Sequence, residues 1–193
     1  MTASTRKNHV QKTTPNYTVP GMRLDDAAEI IELLQDRLNS LNDLALTLKH
    51  IHWNVVGPHF IAVHTMIDPQ VDAVRLMVDD IAERIAALGG SPAGTPGALV
   101  AQRSWQDYSI GRDSTAAHLG ALDVVYTGII EAHRAAIDAT EKPDPITQDM
   151  LIEQGRQLEQ FQWFVRAHLE NQDGALVTRG ATDEQTAAKR AKR

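Results

Sequence analysis

The chain has 193 residues, a formal net charge of −6, 42% hydrophobic and 5% aromatic side chains, and no cysteine. That length suits one domain with tails. Without cysteine there is no disulfide framework or thiolate metal site, and no apolar run approaches the ~20 residues that cross a bilayer. Ala and Leu dominate and β-branched runs are scarce, which favours an all-helical domain. The N-terminus, MTASTRKNHVQKTTPNY, lacks the apolar segment of a secretory signal, so the expected location is cytoplasmic. The charge divides into +4 for residues 1–23, +2 for residues 172–193 and −12 for the body between. An acidic globule with basic ends attracts cations to its surface and polyanions to its tails.

Residues 1–22 are polar, with Pro15, Pro20 and Gly21, and read as a flexible basic arm. A first long helix is expected from Leu24–Asp25 to about Val55, with Leu34, Leu38, Leu41, Ala45, Leu48 and His52 as its stripe. Gly57-Pro58 breaks it. A second runs from about Phe60 to Leu88, ended by Gly89-Gly90, with Pro69 expected to kink it or leave a local irregularity.

Residues 91–112 are rich in Pro and Gly and read as a long crossover with a short helix around Gly97–Arg103. A third long helix is capped by Asp113 or Ser114, with Leu122, Val125, Ile129 and Ala136 on its buried face. Asp144-Pro145 starts a fourth, whose stripe is Leu151, Gln154, Leu158, Phe161, Val165 and His168. Residues 172–193 read as a flexible basic tail. Two short links and one long one match a ferritin-like four-helix bundle with a BC crossover over residues 23–171.

Five potential metal ligands, His52, His64, Asp68, Asp79 and Glu83, lie in HWNVVGPHFIAVHTMID and DDIAER. Imidazole with carboxylate suits a borderline divalent metal such as iron or zinc. His64 and Asp68 are one turn apart, as are Asp79 and Glu83, but Asp68 and Asp79 stand ~16 Å apart along a helix. An antiparallel copy of the helix from a two-fold mate would close that gap and create two equivalent sites. The expected centre is therefore intersubunit: His52, His64 and Asp68 from one chain, Asp79 and Glu83 from the other. Lys49, one turn before His52, is placed to pair with a site carboxylate. Trp53, next to His52, either stands beside the site or packs in the core. Trp163, Phe164, His118, His133 and His168 read as packing or interface residues, and Asp138, Glu141, Asp144 and Asp149 as either the lining of a cation-entry pore or a solvated acidic surface.

These two segments, with FQWFVRAHLE in the last long helix, resemble the signature of the Dps family, the DNA-binding miniferritins of starved bacterial cells. The similarity is greatest to the actinobacterial type with an extended C-terminal tail. The resemblance implies a dodecameric shell built from two-fold dimers and ferroxidase centres at the two-fold interfaces. It also implies oxidation of iron(II), preferably by hydrogen peroxide, and storage as a ferric mineral. His52, His64, Asp68 and Glu83 carry over as ligands by motif, with Asp79 as an often water-mediated member. Many relatives have Glu after the second motif histidine; this chain has Thr65, which lowers the local negative charge. None of the eight histidines follows a Glu by three positions, so a centre inside one bundle is not expected.

The tails complete the expectation. Lys189, Arg190, Lys192 and Arg193, aided by Arg6, Lys7 and Lys12, would neutralise phosphates without reading bases, giving nonspecific, salt-sensitive DNA binding, and many tails on one shell add avidity. Two other readings stay open: a structural nucleoid protein whose metal only stabilises the dimer, and a storage shell with no DNA role.

Overall fold

The structure, a computed structural model, describes residues 15–193. Six helices are present among these residues: α1 (Leu24–Asn54), α2 (Phe60–Ala87), α3 (Pro96–Gln102), α4 (Thr115–Thr140), α5 (Pro145–Ala167) and α6 (Glu184–Ala191). β1 (Val55–Val56) and β2 (Asp113–Ser114) form a two-residue parallel ladder. The four long helices make two antiparallel pairs, α1 with α2 and α4 with α5, the ferritin-like bundle expected from the loop lengths.

The α1 stripe is buried in full, from Leu34 through Leu38, Leu41, Ala45 and Leu48 to His52. Ser114 and Asp144 cap α4 and α5 by accepting from the Ala117 and Thr147 N–H groups. Gly89 closes α2 at φ +88°; a Cβ there would meet the Tyr17 carbonyl oxygen at 2.1 Å, so glycine lets the entering chain pack against the end of α2.

The 31-residue α1 also holds the crossover in place. Gln35 bonds both backbone groups of Ala93, Asn39 donates to Gln102, and Asp43 accepts from the Trp105 indole at 2.8 Å. Three polar residues spaced by one turn thus secure one face of α1 to the crossover.

Several expectations are corrected. Pro69 does not interrupt α2, which runs unbroken with the ring on its exposed side. The buried face of α4 is Leu119, Leu122, Tyr126, Ile130 and His133, while Val125 and Ile129 are only partly buried. Tyr126 is drawn inward because its hydroxyl finds Gln70 Oε1 at 2.7 Å. His118 and His133 are buried as expected, but His168 is exposed at the C-cap of α5. The C-terminal segment is not a free tail: Thr178 is buried and residues 184–191 form α6 against α4. Small residues, Ala187 and Ala188 on one side and Gly120 on the other, allow that close packing. Asp144 does not line an open pore: it is 3% exposed, caps α5 and pairs with Arg84. No helix among the described residues is long and apolar enough to cross a membrane.

Candidate metal centre

The α1–α2 turn brings three of the five expected ligands together. His52 is buried in the last turn of α1, and His64 and Asp68 sit half-buried on the first turns of α2. The chain reverses through Gly57 and through His59, which adopts a left-handed φ of 65° as the α2 N-cap. The two imidazoles stack with centroids 3.6 Å apart. His52 Nδ1 lies 3.0 Å from the His64 carbonyl oxygen, and His64 Nδ1 lies 3.0 Å from the His52 carbonyl oxygen. His52 Nδ1 is also 3.2 Å from Asp68 Oδ1.

These contacts assign the tautomer. A carbonyl oxygen only accepts, so each Nδ1 carries the proton and donates, leaving the Nε2 lone pair for a metal. Metal-binding histidines ordinarily show this arrangement, with the second ring nitrogen tethered to a carbonyl or carboxylate. The donor set therefore fits a divalent transition metal.

Lys49 donates to Asp68 Oδ1 at 2.9 Å, and this hydrogen bond holds the Asp68 carboxyl below the usual carboxylate range. The same ammonium lies 5.8 Å from the Trp53 ring centroid. Trp53 is 72% exposed, so it does not pack into the core of its own chain. Phe60 tilts against His64 at 4.9 Å. Thr65 is exposed and turns its hydroxyl back to the carbonyls of Ile61 and Ala62, away from the ligands.

Asp79 and Glu83 are exposed further along α2. They do not join the other three, and His52, His64 and Asp68 do not complete a site by themselves: among the described residues of one chain, no group of three or more such side chains is placed to hold a metal ion. Around the two halves lie large exposed apolar residues that the sequence reading overlooked. Leu46 (62%) precedes Lys49 and Trp53 on one face of α1, and Leu76 (67%) precedes Asp79 and Glu83 on one face of α2. Ile61 is 65% exposed beside them in the first turn of α2. The signal was available, because Leu46 one turn before Lys49 and Leu76 one turn before Asp79 put large apolar side chains on ligand-bearing faces, which marks a surface that another body covers. Of the expected DNA-contacting residues, Lys189, Arg190, Lys192 and Arg193 lie in or directly after α6, while Arg6, Lys7 and Lys12 fall outside the described residues.

Comparison with known proteins agrees with the fold. The ferritin-like domain profile matches residues 31–174. The chain is 54% identical over 178 residues to the DNA protection during starvation protein of Mycolicibacterium smegmatis, covering 92% of this chain and 97% of that one. It is 51% identical over 161 residues to the fine tangled pili major subunit of Haemophilus ducreyi, covering 83% and 85%. Among solved structures, DpsA14 from Streptomyces coelicolor superposes with a TM-score of 0.84 at 68% identity, over 86% of this chain and 98% of that one. The chain belongs to the ferritin-like proteins and, within them, to the Dps family of its actinobacterial relatives.

Proposed function

We propose that this protein oxidises iron(II) at centres formed between two copies of the chain and stores the ferric product inside a closed shell. The observation that carries the reading is the divided site. His52, His64 and Asp68 cluster at one end of α2, while Asp79 and Glu83 stand on the same helix ~16 Å or more away. Both groups lie beside the exposed apolar residues Leu46, Trp53, Ile61 and Leu76. A two-fold mate covering that face would bury the apolar side chains and complete two sites at once.

Iron(II) is the substrate. The Nε2 atoms and carboxylates bind it, and anionic oxygen ligands favour the higher charge of iron(III), which eases electron loss. Hydrogen peroxide is the preferred oxidant: two iron(II) ions each lose one electron, and peroxide with two protons is reduced to two waters, so no hydroxyl radical is released. Trp53 stands at the site with its ring exposed in the single chain, positioned to give up an electron to an oxidant that escapes. The acidic body draws cations inward, and a dodecameric shell supplies the volume for the mineral. The basic C-terminal residues hold DNA without sequence preference, keeping the iron-scavenging shell beside the molecule it protects.

The assembly requirement is tested by iron titration of the protein at concentrations above and below dimer dissociation. Tight binding and peroxide-driven oxidation should disappear in the verified monomer; full affinity in that monomer would refute the divided site. For the DNA component, a gel-shift of a chain lacking residues 181–193 should show lost binding, and unchanged binding would refute the C-terminal assignment.

A further inference from the structure

The basic end of the chain is packed onto its own body. Ala187 and Ala188 of α6 are buried, and a Cβ on Gly120 of α4 would meet the Ala187 carbonyl oxygen at 2.8 Å and Ala191 Cβ at 2.9 Å. That approach requires glycine. Asp183 caps α6, and the Glu184 carboxylate accepts from both the N–H and the hydroxyl of Ser109, each at 2.6 Å. Gln185 donates to the Ser109 carbonyl at 2.8 Å. At the other end Lys192 pairs with Asp113 across the start of α4, and Arg190 donates to the Arg179 carbonyl. Lys192 is thus paired with the body and Arg190 is tied to the chain just before α6, while Lys189 and Arg193 face solvent.

We propose that α6 is a self-docking latch that withholds part of the basic tail from polyanions, so that undocking it gives the chain its full grip on DNA. The inference rests on the reading of the C-terminal residues as a DNA contact. Docked, the cations sit on an acidic body that repels phosphate, well inside the ~10 Å screening length of 0.1 M salt. Released, the segment 181–193 extends up to ~45 Å, which carries its charges clear of that repulsion. Release also frees Lys192 from Asp113 and Arg190 from Arg179. Each phosphate neutralised adds about 0.9 to the slope of log affinity against log salt, so release should steepen that slope by roughly 2 per engaged chain.

The test compares the full-length assembled protein with Gly120→Val and with Ala188→Gln. Both substitutions are charge-neutral; Gly120 faces α6 directly, and Ala188 packs α6 against Ala117 and Ala121 of α4 and Ile110 of the crossover. Hydrogen exchange of the 184–191 amides reports docking, and a salt series of gel-shifts with linear duplex DNA reports binding. Fast exchange together with at least a tenfold gain in affinity and a steeper salt slope is the expected result. Released α6 with unchanged or weaker binding would overturn the latch, because the docked helix would then be the binding form. Slow exchange in both variants would overturn it as well, by showing that this contact does not hold α6. The chain lacking 181–193 checks the underlying reading separately: if it binds DNA as well as the full chain, the tail is not the contact at all.

Discussion

The imidazoles of His52 and His64 tether each other: each Nδ1 donates to the other residue's backbone carbonyl at 3.0 Å, and the rings stack 3.6 Å apart. Neither ring can turn without breaking a bond made by its neighbour's backbone. The pair therefore offers two Nε2 lone pairs before any metal arrives, and little ordering entropy remains to be lost on binding. Replacing either histidine with alanine removes one ligand and the stacking partner of the other ring, whose bond to the backbone carbonyl remains.

The His52→Ala and His64→Ala proteins should lose more than about tenfold in the rate of peroxide-dependent iron(II) oxidation. Removal of groups that only orient a ligand already costs ~10–100-fold. Ferric absorbance after mixing measures the rate, and helical circular dichroism should be unchanged. A nucleoid protein whose metal merely stabilised a dimer would show no such rate to lose.

Asp144 should be a stability residue and not a pore residue. Burial alone would raise its pKa, but hydrogen bonds from Thr147 and Arg84 outweigh burial and hold it below the ordinary carboxylate value. Asp144→Ala leaves the Arg84 guanidinium, itself 15% exposed, without its bidentate partner and also removes the cap of α5. The expected loss is about 3–5 kcal/mol, measured by urea unfolding. Because the folded pKa is depressed, the stabilisation is fully present above the ordinary value near ~4 and disappears as pH falls through the lowered one.

Acid should weaken the fold earlier, through His133. Burial and then the nearby Arg37 charge push its pKa from 6.5 down to about 4, while the ring's Nε2 donates to the Leu151 carbonyl at 3.1 Å. The unfolded chain therefore binds a proton that the folded chain refuses, and stability falls as pH drops from 6.5 towards 4. One such group contributes about 3 kcal/mol over that window. Thermal unfolding of His133→Gln should be flatter between those pH values than that of the unsubstituted protein.

The sequence carried the bundle clearly and the site by halves. The α1 stripe, the Ser114 and Asp144 caps and the Gly89 stop follow from helical period and capping chemistry, which are local. The inward face of α4 was misread because Tyr126 looks amphipathic until Gln70, from a different helix, supplies its buried partner. Pro69 suggested a kink or local irregularity because propensity sees a missing N–H; α2 stays continuous through it, with the ring on its exposed side. α6 was hidden in a segment dominated by charge, where the only clues were the Asp183 cap and two alanines that happen to face Gly120. At the site, one-turn spacings fixed which residues share a face. That His52 and His64 exchange carbonyl bonds depends on the path of the turn between them, which spacing does not encode.

The divided centre is tested most directly by mixing two inactive chains. His52→Ala lacks a ligand from one half and Glu83→Ala lacks one from the other, so each alone should be inactive in iron(II) oxidation. Denatured together in equal amounts and reassembled, random pairing places an intact His52 half against an intact Glu83 half in about a quarter of all sites. Recovery of about a quarter of the unsubstituted protein's oxidation rate is the predicted result. A properly assembled mixture with no recovered activity would show that the five residues do not act across a pair of chains.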